Sequence, residues 1–117
     1  MTVIQFDKMH GLGNDFMIIR VDTIEALLLS THRIIALANR STGIGFDQCL
    51  VVAPMAGHRH HYLVRIFNAD GTEVGQCGNG LRCVGALLLA TTTATQITLV
   101  TSTTQVLAWA HGTDIGL

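Results

Sequence analysis

Apolar and polar positions change period several times along this chain of 117 residues. Val3 to Met9 reads as a strand, and Phe16 to Val21 (Phe-Met-Ile-Ile-Arg-Val) as a second. Between them His10-Gly11-Leu12-Gly13-Asn14-Asp15 forms a tight loop with two glycines. Ser30 is suited to cap a helix in which Ile34, Ile35, Leu37 and Ala38 form the apolar side, ending near Arg40. Ser41 to Gly45 is a loop, and Cys49 to Ala53 a buried strand stopped by Pro54, the chain's one proline. Met55 to His60 connects it to a strand from His61 to Asn68, and Ala69-Asp70-Gly71-Thr72 is a turn. Asn79 to Ala90 has a helical pattern with Leu81, Val84, Leu87 and Leu88 inward. Ile97 to Val100 and Val106 to Ala110 read as a hairpin, and Asp114 to Leu117 as the start of another strand. There is no internal repeat and no linker. The pattern predicts one α+β domain over residues 1–117, with a mixed or antiparallel sheet wrapped around a central helix.

Composition narrows the classes. Hydrophobic residues make up 49% and charged residues 13%, about half the usual charged share, which excludes a disordered chain. Seven Lys and Arg against eight Asp and Glu leave a net charge of -1 with no basic block, so a nucleic-acid-binding arm is excluded. So few charges predict an apolar surface that a partner covers. Met1 to Lys8 has no apolar run of the kind a signal peptide needs. The uncharged stretch from Cys83 to Thr113 is too rich in threonine for a spanning helix. A soluble, cytoplasmic protein without membrane contact is expected. Three cysteines, an odd number, argue against a disulfide framework.

The densest chemistry lies between Phe67 and Cys83. Cys77 stands just before Gly78-Asn79-Gly80, which leads into the apolar helix. Unpaired N–H groups at a helix start attract carboxylates and favour a thiolate. Cys77 is therefore a candidate reactive thiolate beside an anion-binding nest, although a small buried cysteine ahead of a glycine-rich cap fits the same pattern. Cys83, six residues on, lies about 240° around the helix and about 9 Å along it, and is expected in the core. Cys49, inside an apolar strand, is expected there too. Asn14, Gln48, Asn68 and Asn79 are uncharged donors and acceptors in or beside glycine loops, able to orient an amino-acid-like ligand or to cap turns. His58, His60 and His61 are expected in a solvated loop, and no metal site is assigned. Gly11-Leu12-Gly13 lacks the third glycine and the helix of a dinucleotide fingerprint.

Four blocks carry a family resemblance. They are Lys8-Met9-His10-Gly11-Leu12-Gly13-Asn14-Asp15-Phe16, Thr42-Gly43-Ile44-Gly45-Phe46-Asp47-Gln48, Arg65-Ile66-Phe67-Asn68-Ala69-Asp70-Gly71 and Cys77-Gly78-Asn79-Gly80-Leu81-Arg82-Cys83. In this order and spacing they resemble diaminopimelate epimerase, over about residues 3 to 100. The resemblance implies the N-terminal half of that family's fold. It also implies a pyridoxal-independent isomerase, without cofactor, that interconverts LL- and meso-diaminopimelate in lysine and cell-wall precursor synthesis. Two cysteines on opposite faces of the α-carbon would move the proton. Cys77 matches the first. Asn14, Gln48 and Asn68 match substrate-contacting positions, and the backbone of Gly78 and Asn79 a carboxylate-binding helix start. The second cysteine and a Glu-Arg pair belong to the family's other domain, and nothing in this sequence matches them. Leu81 replaces a usually smaller residue, and residues 101–117 lack the family's Gly-bearing turn. A complementing C-terminal half, or a homodimer with two Cys77 thiols across one site, is therefore the expected partner. The alternatives are an inactive substrate-binding or structural half-domain, and another cofactor-independent racemase such as a proline-type enzyme.

Overall fold

The structure, a computed structural model, describes residues 5–23, 30–111 and 114–117. Strands β1 (Phe6–Gly11) and β2 (Asn14–Arg20) form an antiparallel hairpin. Only Leu12 and Gly13 lie between them, both with positive φ (50° and 88°), as a two-residue turn matched to strand twist requires. The six-residue loop expected from the sequence thus contracts to two residues. Val3 and Ile4, expected in the first strand, lie outside the described residues.

Helix α1 (Thr31–Ala38) follows, and β2 pairs in parallel with β3 (Gln48–Pro54). The Ser30 hydroxyl caps α1, accepting from the Arg33 N–H at 3.2 Å as expected. β3 pairs antiparallel with β4 (His61–Asn68), which carries the two-residue strand β5 (Glu73–Val74) and pairs in parallel with β6 (Gln96–Val100). Helix α2 (Gly78–Leu89) lies between β5 and β6 in the chain. β7 (Gln105–His111) pairs antiparallel with β6, and β8 (Asp114–Gly116) with β7. The path β1-β2-β3-β4-β6-β7-β8 is one mixed sheet curled around α2 as a half-barrel, the α+β architecture that the sequence pattern predicts.

Strand residues alternate between two buried layers, because successive side chains point to opposite faces. Phe16, Ile18, Leu50, Val52, Val64 and Ile66 pack on the α2 side with Leu81, Val84 and Leu88. Met17, Ile19, Cys49, Val51 and Phe67 pack on the other side with Ile34 and Ala38 of α1. Leu87 of α2 is half-buried at the margin of its layer. The centre of the sheet has no solvent face, which accounts for the near-continuous apolar runs of β2 and β3. Among the described residues no helix is long and apolar enough to cross a membrane.

Candidate active site

Strand register builds the site. Gln48 opens β3 and Asn68 closes β4, and the two are paired across the antiparallel ladder. Gln48 also pairs with Phe16 of β2. Both amides share the parity of Leu50 and Ile66, so they lie on the α2 side at one end of the sheet. Cys77, the N-cap of α2, stands over them. Its thiol donates to Gln48 Oε1 at 2.7 Å. Gln48 Nε2 donates to Asn68 Oδ1 at 2.9 Å, and Asn68 Nδ2 to Thr72 Oγ1 at 3.2 Å. The Thr72 hydroxyl donates to Asp70 Oδ1 at 2.6 Å, and the Thr72 backbone N–H to the same oxygen at 2.9 Å. A line of hydrogen bonds thus runs from a half-buried sulfur to an exposed carboxylate.

The start of α2 completes the surroundings of the sulfur. Cys77 is extended (φ -158°, ψ 98°), makes no side-chain cap, and accepts from the Leu81 N–H at 2.8 Å through its carbonyl. The N–H groups of Gly78, Asn79 and Gly80 precede that first helical bond, and no acidic residue occupies the first turn. Gly80 is closely packed: a Cβ there would lie 3.1 Å from Leu50 Cδ2 and 3.2 Å from Cys77 Sγ. Chemically, the arrangement sets a cysteine sulfur beside backbone donors that have no partner among the described residues and suit a carboxylate. The loop leading to Cys77 is held from the β6–β7 turn, where the Thr103 hydroxyl donates to the Gly75 carbonyl at 3.0 Å.

The other expected residues are spread around this centre. Asn14 is two residues before Phe16 at the same end of the sheet. It is exposed, with no side-chain hydrogen bond among the described residues. Asn79 sits near Gly11 and lines a cleft of about 440 Å³ between the end of β1, α2 and β8, together with Met9, Arg82, Cys83 and Ile115. Cys77 does not line that cleft. Cys83 is buried in the α2 layer, its Sγ 3.7 Å from the His10 carbonyl, and burial followed by the neighbouring Cys77 raises its pKa. Cys49 is fully buried on the α1 side, where desolvation pushes its thiol up to about 12. Both are core residues, as their apolar neighbours in sequence suggested. His58, His60 and His61 sit in and beside the β3–β4 connection, the rings of His58 and His61 5.6 Å apart.

Two groups near the site were not legible in the sequence. Thr72 and Asp70 read only as turn residues, yet they end the hydrogen-bonded line; the Asp-Gly-Thr spacing of an Asx turn was the available signal. On the opposite face Arg40, Asp15, Asp47 and Lys8 form an ion cluster. Lys8 Nζ lies 3.2 Å from Asp15, and Arg40 3.2 Å from Asp47. Asp47 Oδ2 accepts from the Asp15 N–H at 2.9 Å, and the Asp15 carbonyl from the Asp47 N–H at 3.0 Å. These bonds tie together the starts of β2 and β3, immediately behind Asn14 and Gln48.

The half-barrel around α2 is shared with larger proteins of known structure. A phenazine biosynthesis protein of the PhzF family from Enterococcus faecalis superposes with a TM-score of 0.64 at 12% identity, over 86% of this chain and 35% of that one. A predicted epimerase from Pseudomonas aeruginosa gives 0.62 at 18% identity, over 88% and 35%. The likeness defines an epimerase-like fold. In sequence, the diaminopimelate epimerase family model matches residues 6–110. The diaminopimelate epimerase of Legionella pneumophila (strain Corby) is 48% identical over 104 residues, 86% of this chain and 37% of that protein. The chain belongs to the diaminopimelate epimerase family, and it spans a little over a third of the length of such relatives.

Proposed function

We propose that this chain is one proton-handling half of a cofactor-independent epimerase that interconverts LL- and meso-diaminopimelate. The observation that carries this is the Cys77 thiol, 2.7 Å from Gln48 Oε1 at the start of α2, beside the N–H groups of Gly78 and Asn79, which have no partner among the described residues. Family membership supports diaminopimelate as the substrate in this reading. In this reading the two N–H groups bind the α-carboxylate and stabilise the charge that develops when the α-proton leaves. Asn14, Gln48 and Asn68 orient the ligand. A thiolate from a complementing half takes the α-proton from one face of the carbon. The Cys77 S–H delivers a proton to the other face and becomes the thiolate, and the reverse reaction exchanges the two roles. An α-amino acid C–H is a very weak acid, so the second half also serves to exclude water. That half is either a C-terminal domain of the family type or a second copy of this chain in a two-fold dimer.

The test is exchange of the α-proton of diaminopimelate in deuterated solvent, with size-exclusion mass measured on the same sample. Exchange by the chain as a dimer, or on addition of a complementing half, and its loss in Cys77→Ser, agree with the proposal. Exchange that survives Cys77→Ser contradicts it. Absence of diaminopimelate binding even at millimolar concentration would instead mark a structural module, and exchange on a cyclic imino acid a proline-type racemase.

A further inference from the structure

The line from Cys77 to Asp70 has a direction, and one end dictates it. An ionised carboxylate only accepts hydrogen bonds. Asp70 Oδ1 takes the Thr72 hydroxyl proton at 2.6 Å, so Thr72 Oγ1 has only lone pairs left for Asn68. Asn68 must then offer Nδ2, which turns Oδ1 toward Gln48. Gln48 must answer with Nε2, which leaves Oε1 for Cys77. Reversing Asn68 alone would set acceptor against acceptor at Thr72 and donor against donor at Gln48, and reversing Gln48 alone would set its Oε1 against Asn68 Oδ1. From this geometry we infer that Asp70, acting through Thr72, is a positioning residue: it fixes the orientation of Asn68 and Gln48 so that an acceptor faces the Cys77 sulfur and holds its proton.

Released from that anchor, the two amides can turn together. Asn68 Nδ2 would then donate to Gln48 Oε1, and Gln48 Nε2 would face the sulfur and favour the thiolate. The pair of amides is thus a two-position selector between a proton-donating and a proton-accepting Cys77. The Thr72 N–H bond to the same Asp70 oxygen keeps the anchor in place. Thr72 also lowers the pKa of Asp70, in keeping with a carboxylate that stays an acceptor. This deepens the proposed reaction and rests on it for its consequence, since a thiol held protonated is ready to act as the acid.

Alkylation of Cys77 by iodoacetamide, followed peptide by peptide with mass spectrometry at one neutral pH, reads the selector without any substrate. Thr72→Val and Asp70→Ala should each speed alkylation about threefold to tenfold, the range that one neutral hydrogen bond commands. Thr72→Ser and Asp70→Asn, which retain the hydroxyl and the acceptor, should stay near the wild-type rate. Wild-type rates in both disrupting variants, or an equal rise in Thr72→Ser, would overturn the inference. Should the disrupting variants not fold, side-chain amide NMR of the unaltered chain decides: Nε2 protons of Gln48 close to Asn68 support it, and close to the Cys77 β-protons refute it. Altered alkylation without α-proton exchange would count against the proposed reaction while leaving the selector intact. Exchange with unaltered alkylation would do the reverse.

Discussion

Arg40 grips Asp15 with both ends of its guanidinium, Nη1 2.8 Å from Oδ2 and Nη2 2.9 Å from Oδ1. The Arg40 pair, with help from Lys8 and Asp47, holds the Asp15 carboxyl well below the usual carboxylate range. A carboxyl depressed in the folded state binds fewer protons there than when unfolded. Its contribution to stability is therefore complete above the unfolded value of about 4 and is lost as pH falls below it. Asp15→Asn should flatten the acid limb of thermal stability between about pH 5 and pH 2. A limb as steep as wild type, measured by circular dichroism melts, would show that other carboxylates set it.

The three thiols differ in reach. Cys77 is half-buried, Cys83 is buried in the α2 layer, and Cys49 is fully buried with its thiol pushed up to about 12. Iodoacetamide at pH 8 should label Cys77 first and Cys49 only on unfolding. Peptide mapping against time gives the order, and faster labelling of Cys49 or Cys83 in the folded chain would exclude Cys77 as the reactive thiol.

Gly80→Ala should be harmful although alanine is the better helix former. The added methyl would meet Leu50 and the Cys77 sulfur at 3.1 and 3.2 Å. A loss of about 1–3 kcal/mol in chemical denaturation is expected from such overpacking, partly offset by the helix-propensity gain of about 1 kcal/mol. A more stable variant with unchanged Cys77 alkylation would mean that the sulfur has room to move.

Gln48→Leu removes the partner of Cys77 and the donor to Asn68 Oδ1 in one step. Unpairing two half-buried polar groups should cost about 1–3 kcal/mol in urea unfolding. Proton exchange on diaminopimelate should fall with it. Full exchange in this variant would remove Gln48 from the ligand-orienting set.

Much of this was readable from residue order. The apolar runs at Phe16–Val21 and Cys49–Ala53 mark strands, and Leu81, Val84 and Leu88 mark the face of α2, because burial leaves its period in the sequence. Cys77 and the glycines after it announce a helix start with free N–H groups. The second layer was not readable. Runs as apolar as β2 and β3 carry no alternation to show that Met17 and Cys49 face α1 while Phe16 and Leu50 face α2. The link from Cys77 to Gln48 spans 29 residues and that from Arg40 to Asp15 spans 25. Both depend on strand register, and register comes from tertiary packing. Two-residue β5 is too short to leave a periodic trace.

The same register separates two incompatible chemistries by the thickness of one sheet. Gln48 and Asp47 are neighbours in the chain, but one faces α2 and the other Arg40. A slip of β3 by a single residue would exchange them and bring an aspartate beneath the positive start of α2. The chain's own carboxylate would then occupy the place proposed for the ligand's. The ion cluster on the opposite face, by holding Asp47 against Arg40 and the Asp15 N–H, opposes that slip.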